Sequence, residues 1–306
     1  MKGITAPEKA VPKHTGGRTA DLGEIRQIEA DLVEDAVKAL FLKANTSIGQ
    51  DIYNALSDGL NKKEESPCGR DVLEQILRNH DIAREEGVPI CQDTGMAVVF
   101  LDVGQDVHIT GGGLEEAVNR GVARAYEEGY FRKSIVDDPL FDRKNTGDNT
   151  PAVIHARIVP GRLLDIMVTP KGFGSENMSA LKMLTPAAGV QGVEDFVVET
   201  VISAGPNPCP PTIIGVGVGG TMEKAALLAK RATVRPVNEN HPDPRYAGLE
   251  MRMLERINNS GIGPAGLGGR ITSLAVHIEH APAHIAGTAV AVNICCHACR
   301  HAQVTL

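Results

Sequence analysis

The residues of this chain with most chemistry to offer are its six cysteines, Cys68, Cys91, Cys209, Cys295, Cys296 and Cys299. Cys91, Cys209 and Cys296 stand in frames that an inert core thiol does not need. Cys91 lies in the run PICQDTG, beside the amide Gln92 and the carboxylate Asp93, directly before the apolar, β-branched run MAVVFLDV. Cys209 lies in NPCPPT, where prolines stiffen the backbone and strip it of N–H donors. Cys296 follows the apolar run TAVAVNIC. Each thiol is thus expected at or near a strand boundary, with a polar or rigidifying neighbour. Well-separated thiolates of this kind suit an iron–sulfur cluster better than zinc. A structural cluster takes four cysteines. A set of three would leave one iron open to bind a substrate oxygen, as catalytic metal sites keep an open position.

Other motifs carry competing readings. CHAC, from Cys296 to Cys299, contains C-x-x-C, but a zinc ribbon would want a second such pair and a redox pair would open a helix early in its unit. GVGVGG, from Gly215 to Gly220, fits G-x-G-x-x-G after a strand and at a helix start. The acidic residue and second strand of a dinucleotide unit are replaced by the loop sequence VRPVNENHPDP. Close strand–helix packing and anion binding at the helix start remain as readings. In HIEHAPAH, a strand would put His277 and Glu279 on one face and His280 on the other. Core histidines suit that pattern better than a metal site made with His284.

The elements that must position these residues follow from periodicity. From Glu24 to about Gly87 the apolar spacing is helical, and glycine ends the run DVLEQILRNHDIAREEG. Strands are predicted at MAVVFLDV, DVHIT, AVIHARIV and LLDIMVT, the last two joined by a Pro-Gly turn. GLEEAVNRGVARAYEEGYF reads as a helix. The second half gives helices at GVEDFVVETVISAG, TMEKAALLAKRA and DPRYAGLEMRMLERINNSG, and strands at TIIGVGV, SLAVHIE and TAVAVNICC. The fold class is α/β (mixed α+β): an N-terminal helical segment, then a large domain with buried mixed sheets. Residues 1–22 are expected to be a loose arm. Residues 23–306 form one catalytic domain, with 23–90 as its helical lead-in.

Composition excludes several functions. With 306 residues and 42% hydrophobic content, a substantial core is available. A net charge of −7 lacks the basic face of a nucleic-acid binder. No apolar run approaches the roughly 18 residues of a membrane span, and the N-terminus has no apolar core of a secretory signal. Cysteines this few and scattered indicate a reducing compartment, the cytoplasm. The 33 glycines gather in loops near expected strand ends, as where backbone approaches a ligand.

Together PICQDTG, NTGDNTPA, KGFGSEN, NPCPP, GVGVGG, GIGPAGLGG and VNICCHACRH, in this order over roughly residues 25–306, resemble the α subunit, or N-terminal catalytic domain, of the class I iron–sulfur fumarases and L-tartrate dehydratases. KGFGSEN and CHACRH look more like fumarase than tartrate dehydratase. The resemblance implies a [4Fe-4S] cluster on three cysteines with one iron open. By position these are Cys91, Cys209 and Cys296; the cysteine before the histidine selects Cys296 over Cys295. Cys68 and Cys299 carry no matching role and are expected to be structural. Asp93 is implied as proton donor to the leaving hydroxyl, and Gln92 as a substrate contact, against the reading of a plain Asp-Thr-Gly turn. Arg132 is the candidate for the distal carboxylate, against an exposed loop arginine. Gly172 and Gly174 would let backbone approach the substrate. The resemblance also implies a separate β subunit carrying the carbon base, and a heterotetramer. The expected reaction is reversible hydration of fumarate to L-malate. Tartrate or mesaconate chemistry, an iron–sulfur redox or sensor protein, and a zinc-binding module at CHAC are the rival readings.

Overall fold

The chain enters through a strand too short to announce itself, β1 (Arg26–Glu29), whose one buried side chain is Ile28. The computed structural model describes residues 25–306; the expected arm at 1–22 lies outside the described residues. The predicted helical stretch follows as α1 (Ala30–Thr46), α2 (Gln50–Asp58), a π turn over Gly59–Lys63, and α3 (Pro67–Glu86). In α1, Val33, Val37, Leu40, Phe41 and Ala44 recur at three-and-four spacing and are buried. In α3, Pro67 sits in the first turn and the Ser66 hydroxyl accepts the Gly69 N–H. Gly87 closes α3 at φ 66°, a left-handed cap that suits glycine.

The remaining elements are β2 (Met96–Gly104), β3 (Val107–Thr110), α4 (Leu114–Glu128), β4 (Val153–Val159), β5 (Leu164–Lys171), the single turn α5 (Phe173–Glu176), β6 (Ala180–Leu184), α6 (Gly189–Ala204), β7 (Thr212–Gly220), α7 (Met222–Ala232), α8 (Pro244–Asn258), β8 (Ser273–Ala283), β9 (Thr288–Cys295) and β10 (Ala302–Thr305). Two four-stranded mixed sheets result, ordered β10-β5-β2-β4 and β6-β9-β7-β8, with β1 pairing β3 in a small parallel ribbon. The mixed α/β class expected from periodicity is the class observed.

Alternation assigns the faces. On β2, Ala97, Val99 and Leu101 join the core under α1 and α4. Asp102 on the opposite face pairs with Arg231 of α7. On β7, Ile214 and Val216 pack with Val197 and Met253 of α6 and α8, while Gly215 and Gly217 turn toward α7. A Cβ on Gly215 or Gly217 would land on the main-chain carbonyl of Ala229 or Ala225.

One expectation is corrected here. GVGVGG does not follow a strand and open a helix; it is the second half of β7 itself, and α7 starts only at Met222. Its central glycines are explained by close packing of the strand against the α7 backbone. The Pro160-Gly161 turn joins β4 to β5 as expected, yet β2 lies between them, parallel to β4 and antiparallel to β5. The most continuously buried strand of this sheet takes an inner place, and the connection wraps its end, where Gly104 N–H donates to the Leu163 carbonyl at 2.8 Å. The strands β1, β6 and β10 were not foreseen. Each is only four or five residues long.

Candidate functional site

The three framed cysteines lie at three chain segments that the fold brings together. Cys91 sits in the loop before β2, Cys209 in the loop between α6 and β7, and Cys296 directly after β9. Partial burial pushes the Cys209 thiol up, and Cys296 and Cys91 add to it, so each of those two sulfurs lies within electrostatic reach of Cys209. The Cys209 carbonyl also accepts the His297 N–H at 3.4 Å.

Cys209 holds a left-handed backbone at φ 54°, a costly conformation for a residue with a Cβ. Its frame explains how this persists. The Cys209 N–H donates to the Pro206 carbonyl at 3.0 Å, and Ala265 N–H donates to Pro210 at 2.8 Å. The loop GIGPAGLGG thereby backs the proline frame, and Gly266 has no room for a Cβ against Pro206. Cys209 itself is exposed, while Cys91 and Cys296 are partly so.

The neighbouring thiols sort differently. Cys295 is buried in the apolar cluster with Ile52, Leu73 and Ile213. The Cys296 thiol beside it pulls its pKa down, but Cys299 and burial prevail and push it up to about 12. Contact with Cys295 and burial raise the Cys296 thiol well above its ordinary value, opposed by the cations Arg300 and Lys171. Cys299 is buried and donates to the Thr233 carbonyl at 3.3 Å. Cys68 is exposed at the start of α3.

Among the described residues, no group of His, Cys, Asp and Glu closes on a single metal-sized point. A larger group would draw on three thiols from separate segments, two of them within electrostatic reach of Cys209. At Gly174 an added Cβ would meet nothing closer than the Asn207 carbonyl at 3.8 Å. A cluster several atoms across takes its thiolates at separate corners, unlike one zinc ion.

Beside the thiols, the Cys91–Gly95 segment forms a tightly bonded turn. The Asp93 N–H donates to Cys91 Sγ at 3.4 Å. Asp93 Oδ1 accepts the Gly95 N–H at 3.0 Å, and Oδ2 accepts the Phe173 N–H at 2.8 Å. Gln92 is exposed, with Oε1 accepting the Cys91 S–H at 3.4 Å. A Cβ on Gly172 would stand 3.2 Å from Asp93 Oδ2, so glycine admits that carboxylate. The Asp-Thr-Gly turn is thus present, and the Asp93 carboxylate holds it to the Phe173 amide.

Asp93 also lines a cleft of about 470 Å³ with Gly95, Arg132, Arg143 and Phe173. Arg132 is exposed, and its carbonyl accepts the Thr94 hydroxyl at 3.0 Å. The fold thus brings Arg132 and Asp93 to one cavity. Of the expected site residues, Gln92, Gly172, Gly174 and the cysteines do not line it.

Sequence reasoning missed the residues that hold this mouth in shape. Tyr126, fully buried on α4, directs its hydroxyl at the carbonyls of Thr94 and Gly95 at 2.7 and 2.8 Å. Asn149, fully buried, donates to the Gly95 carbonyl at 3.2 Å and accepts the Ser134 N–H at 2.8 Å. Asn149 was part of the quoted run NTGDNTPA, but nothing in the run told that its role is to anchor a turn 54 residues earlier. Lys171 is 2% exposed and bonds Ser175 Oγ at 2.8 Å. Glu176 pairs with both Lys171 and Lys230, and it accepts from Asn293 Nδ2 at 2.8 Å. Burial would raise the Glu176 carboxyl, yet the two lysines hold it below its ordinary value.

His277 is buried, its Nδ1 3.2 Å from the Ala232 carbonyl, while His280 packs on Tyr246 with ring centroids 4.4 Å apart. His284 is exposed. The strand-face reading of HIEHAPAH holds, and the three histidines do not converge.

The chain matches the family model described as Fumarate hydratase (Fumerase) over residues 34–305. It is 42% identical over 274 residues to "Putative L(+)-tartrate dehydratase subunit alpha" of Methanocaldococcus jannaschii, across 88% of this chain and 96% of that protein. Identity is 34% over 271 residues to "L(+)-tartrate dehydratase subunit alpha" of Escherichia coli K12, across 85% of this chain and 88% of that protein. The protein of the same name from Shigella sonnei gives the same figures.

Proposed function

The chain belongs to the fumarate hydratase (Fumerase) family, and from that membership we propose that it is the α subunit of a hydro-lyase that reversibly hydrates fumarate to L-malate. What supports this reading is that the Cys91 and Cys296 sulfurs both act on the Cys209 thiol, and that the Asp93 N–H donates to Cys91 Sγ at 3.4 Å. Residues 23–306 act as one catalytic unit, with 23–90 as its helical lead-in.

Cys91, Cys209 and Cys296 would hold a [4Fe-4S] cluster with one iron open. When bound, the cluster supplies a Lewis acid to the substrate hydroxyl and its adjacent carboxylate. This chain's own residues do the rest of what falls to the α subunit. Asp93, fixed by the amides of Gly95 and Phe173, carries the proton to the leaving hydroxyl in dehydration and takes it from water in hydration. Arg132 binds the distal carboxylate across the cleft. Gln92 donates its amide to the near carboxylate. Gly172 and Gly174 keep the loop free of side chains where the dicarboxylate enters.

The proton on carbon is the task of a second, β-type subunit, in a heterotetramer. The relatives' names designate an alpha subunit, which supports a partner of another kind. Tyr130, Leu140 and Phe141, 94%, 77% and 83% exposed, belong to the segment that walls the Arg132 cleft. Large apolar groups at a site mouth favour cover by a partner.

A second reading is tartrate dehydration by the same machinery, favoured by the names of the relatives. The compartment is proposed to be the reducing cytoplasm. No helix among the described residues is long and apolar enough to cross a membrane. The test is anaerobic iron–sulfur reconstitution, then assays with fumarate and with L-tartrate, with and without the β-type subunit. Turnover of fumarate far above tartrate supports the first reading, and the reverse supports the second.

A further inference from the structure

Arg300 is 3% exposed, yet among the described residues its hydrogen-bond acceptors are main-chain carbonyls alone. Nη2 donates to the Asp93 carbonyl, and Nε to the Pro170 carbonyl at 3.5 Å. Nη1 is buried with no partner among the described residues. The carboxylates at the same strand ends are engaged elsewhere: Glu176 by Lys171 and Lys230, and Asp93 by the amides of Gly95 and Phe173. A guanidinium buried without a counter-ion is costly, and one with an unused donor more so. A well-formed fold tolerates this where an anion completes the pairing.

We propose that Arg300 is a positioning residue that fixes the Cys91–Asp93 segment and supplies the counter-charge for the anionic group held by Cys91, Cys209 and Cys296. This rests on the cluster reading above. Three thiolates on a doubly positive four-iron core leave a net negative charge, and one buried cation balances it. The placement suits both tasks. Arg300 follows Cys296 in the same short segment after β9, and its carbonyl is pinned by the Thr169 hydroxyl at 3.0 Å. Its side chain then crosses to the main chain of Asp93, two residues after Cys91. One side chain therefore ties two of the three cysteine segments together.

The test compares wild type, Arg300→Lys, Arg300→Met and Arg300→Gln after anaerobic reconstitution. The readouts are iron per chain and the cluster's midpoint potential, followed by electron paramagnetic resonance. Losing a nearby cation disfavours the reduced, more negative cluster. Arg300→Met and Arg300→Gln are expected to shift the redox equilibrium at least tenfold toward the oxidised form, about 59 mV lower for one electron. Variants that fold by circular dichroism but take up no iron support the proposal equally, provided Arg300→Lys restores uptake. Arg300→Lys keeps the charge and is expected within about threefold of the wild-type equilibrium, with faster iron loss in air because the two-carbonyl fork is gone. Gln covers the case in which Met fails to fold. Normal iron uptake with wild-type potential in both neutral variants overturns this inference alone, as does failure of Lys to restore. A wild-type chain that takes up no iron overturns the cluster reading itself, and this inference with it.

Discussion

The Asp93 carboxylate accepts the Phe173 N–H at 2.8 Å, joining residues 80 positions apart in the sequence. This one bond fastens the turn that carries Cys91 to the glycine loop after β5. It gives Asp93 both a structural task and a place at the mouth of the cleft.

The two tasks separate on substitution. Asp93→Asn keeps an oxygen for one of the two amides and removes the group that moves a proton. The reconstituted, partner-bound enzyme is expected to retain its cluster and lose roughly 10²–10⁴-fold in turnover. Turnover near that of wild type would confine Asp93 to the turn.

The assignment of thiols is checked by single serine replacements. Cys91→Ser, Cys209→Ser and Cys296→Ser are each expected to abolish the visible absorbance of the reconstituted cluster. Cys68→Ser, at an exposed position, and Cys299→Ser, whose thiol bonds Thr233, should leave it. Cys295→Ser places a hydroxyl in an apolar cluster and should lower stability without removing the cluster. The opposite pattern for Cys295 and Cys296 would move the third ligand by one residue.

Gly217→Ala tests why β7 is rich in glycine. The added methyl would land on the Ala225 carbonyl of α7, which is backbone and cannot step aside. We expect a loss of about 1–3 kcal/mol, seen as a lower urea midpoint with little change in the slope. An unchanged midpoint would show that α7 is free to move from the sheet.

Acid stability should follow the buried histidines. Burial lowers His277 to about 4, with Arg235 adding to it, and burial lowers His80 to about 3, with His297 adding. Both folded values lie below the ordinary 6.5. The unfolded chain therefore binds more protons as pH falls below about 6.5, and stability is lost from there down to about 4 for His277 and about 3 for His80. Each contributes at most about 1.4 kcal/mol per pH unit in its window. Urea midpoints of the cluster-free protein between pH 7 and 4.5 should fall, and His277→Gln should flatten the slope. An equal slope in that variant would remove His277 from the account.

Partner dependence follows from the absence of an assigned carbon base in this chain. The reconstituted α chain, free of β-type subunit by mass spectrometry, is expected to be coloured and almost inactive. Its activity should rise and saturate as that subunit is added. The gain comes from excluding water and bringing the base within reach, effects that supply at best on the order of 7–11 kcal/mol of barrier lowering. Full turnover by the α chain alone would place the base within this sequence.

The sequence by itself determined the class of fold, the helical lead-in and most strands, because apolar periodicity and glycine stops are local signals. It also singled out Cys91, Cys209 and Cys296 through their polar and proline-rich frames. It could not order the strands: a Pro-Gly turn joins β4 to β5, and only the burial demand of β2 puts that strand between them. It left GVGVGG open between ligand contact and packing, and the closeness of α7 decided for packing. Nor could it show the hydroxyl of Tyr126, the amide of Asn149 or the guanidinium of Arg300 converging on the Thr94–Gly95 and Asp93 carbonyls. Those bonds link segments far apart in the chain. Each satisfies a buried polar group, a requirement that exists only once tertiary packing has removed the water.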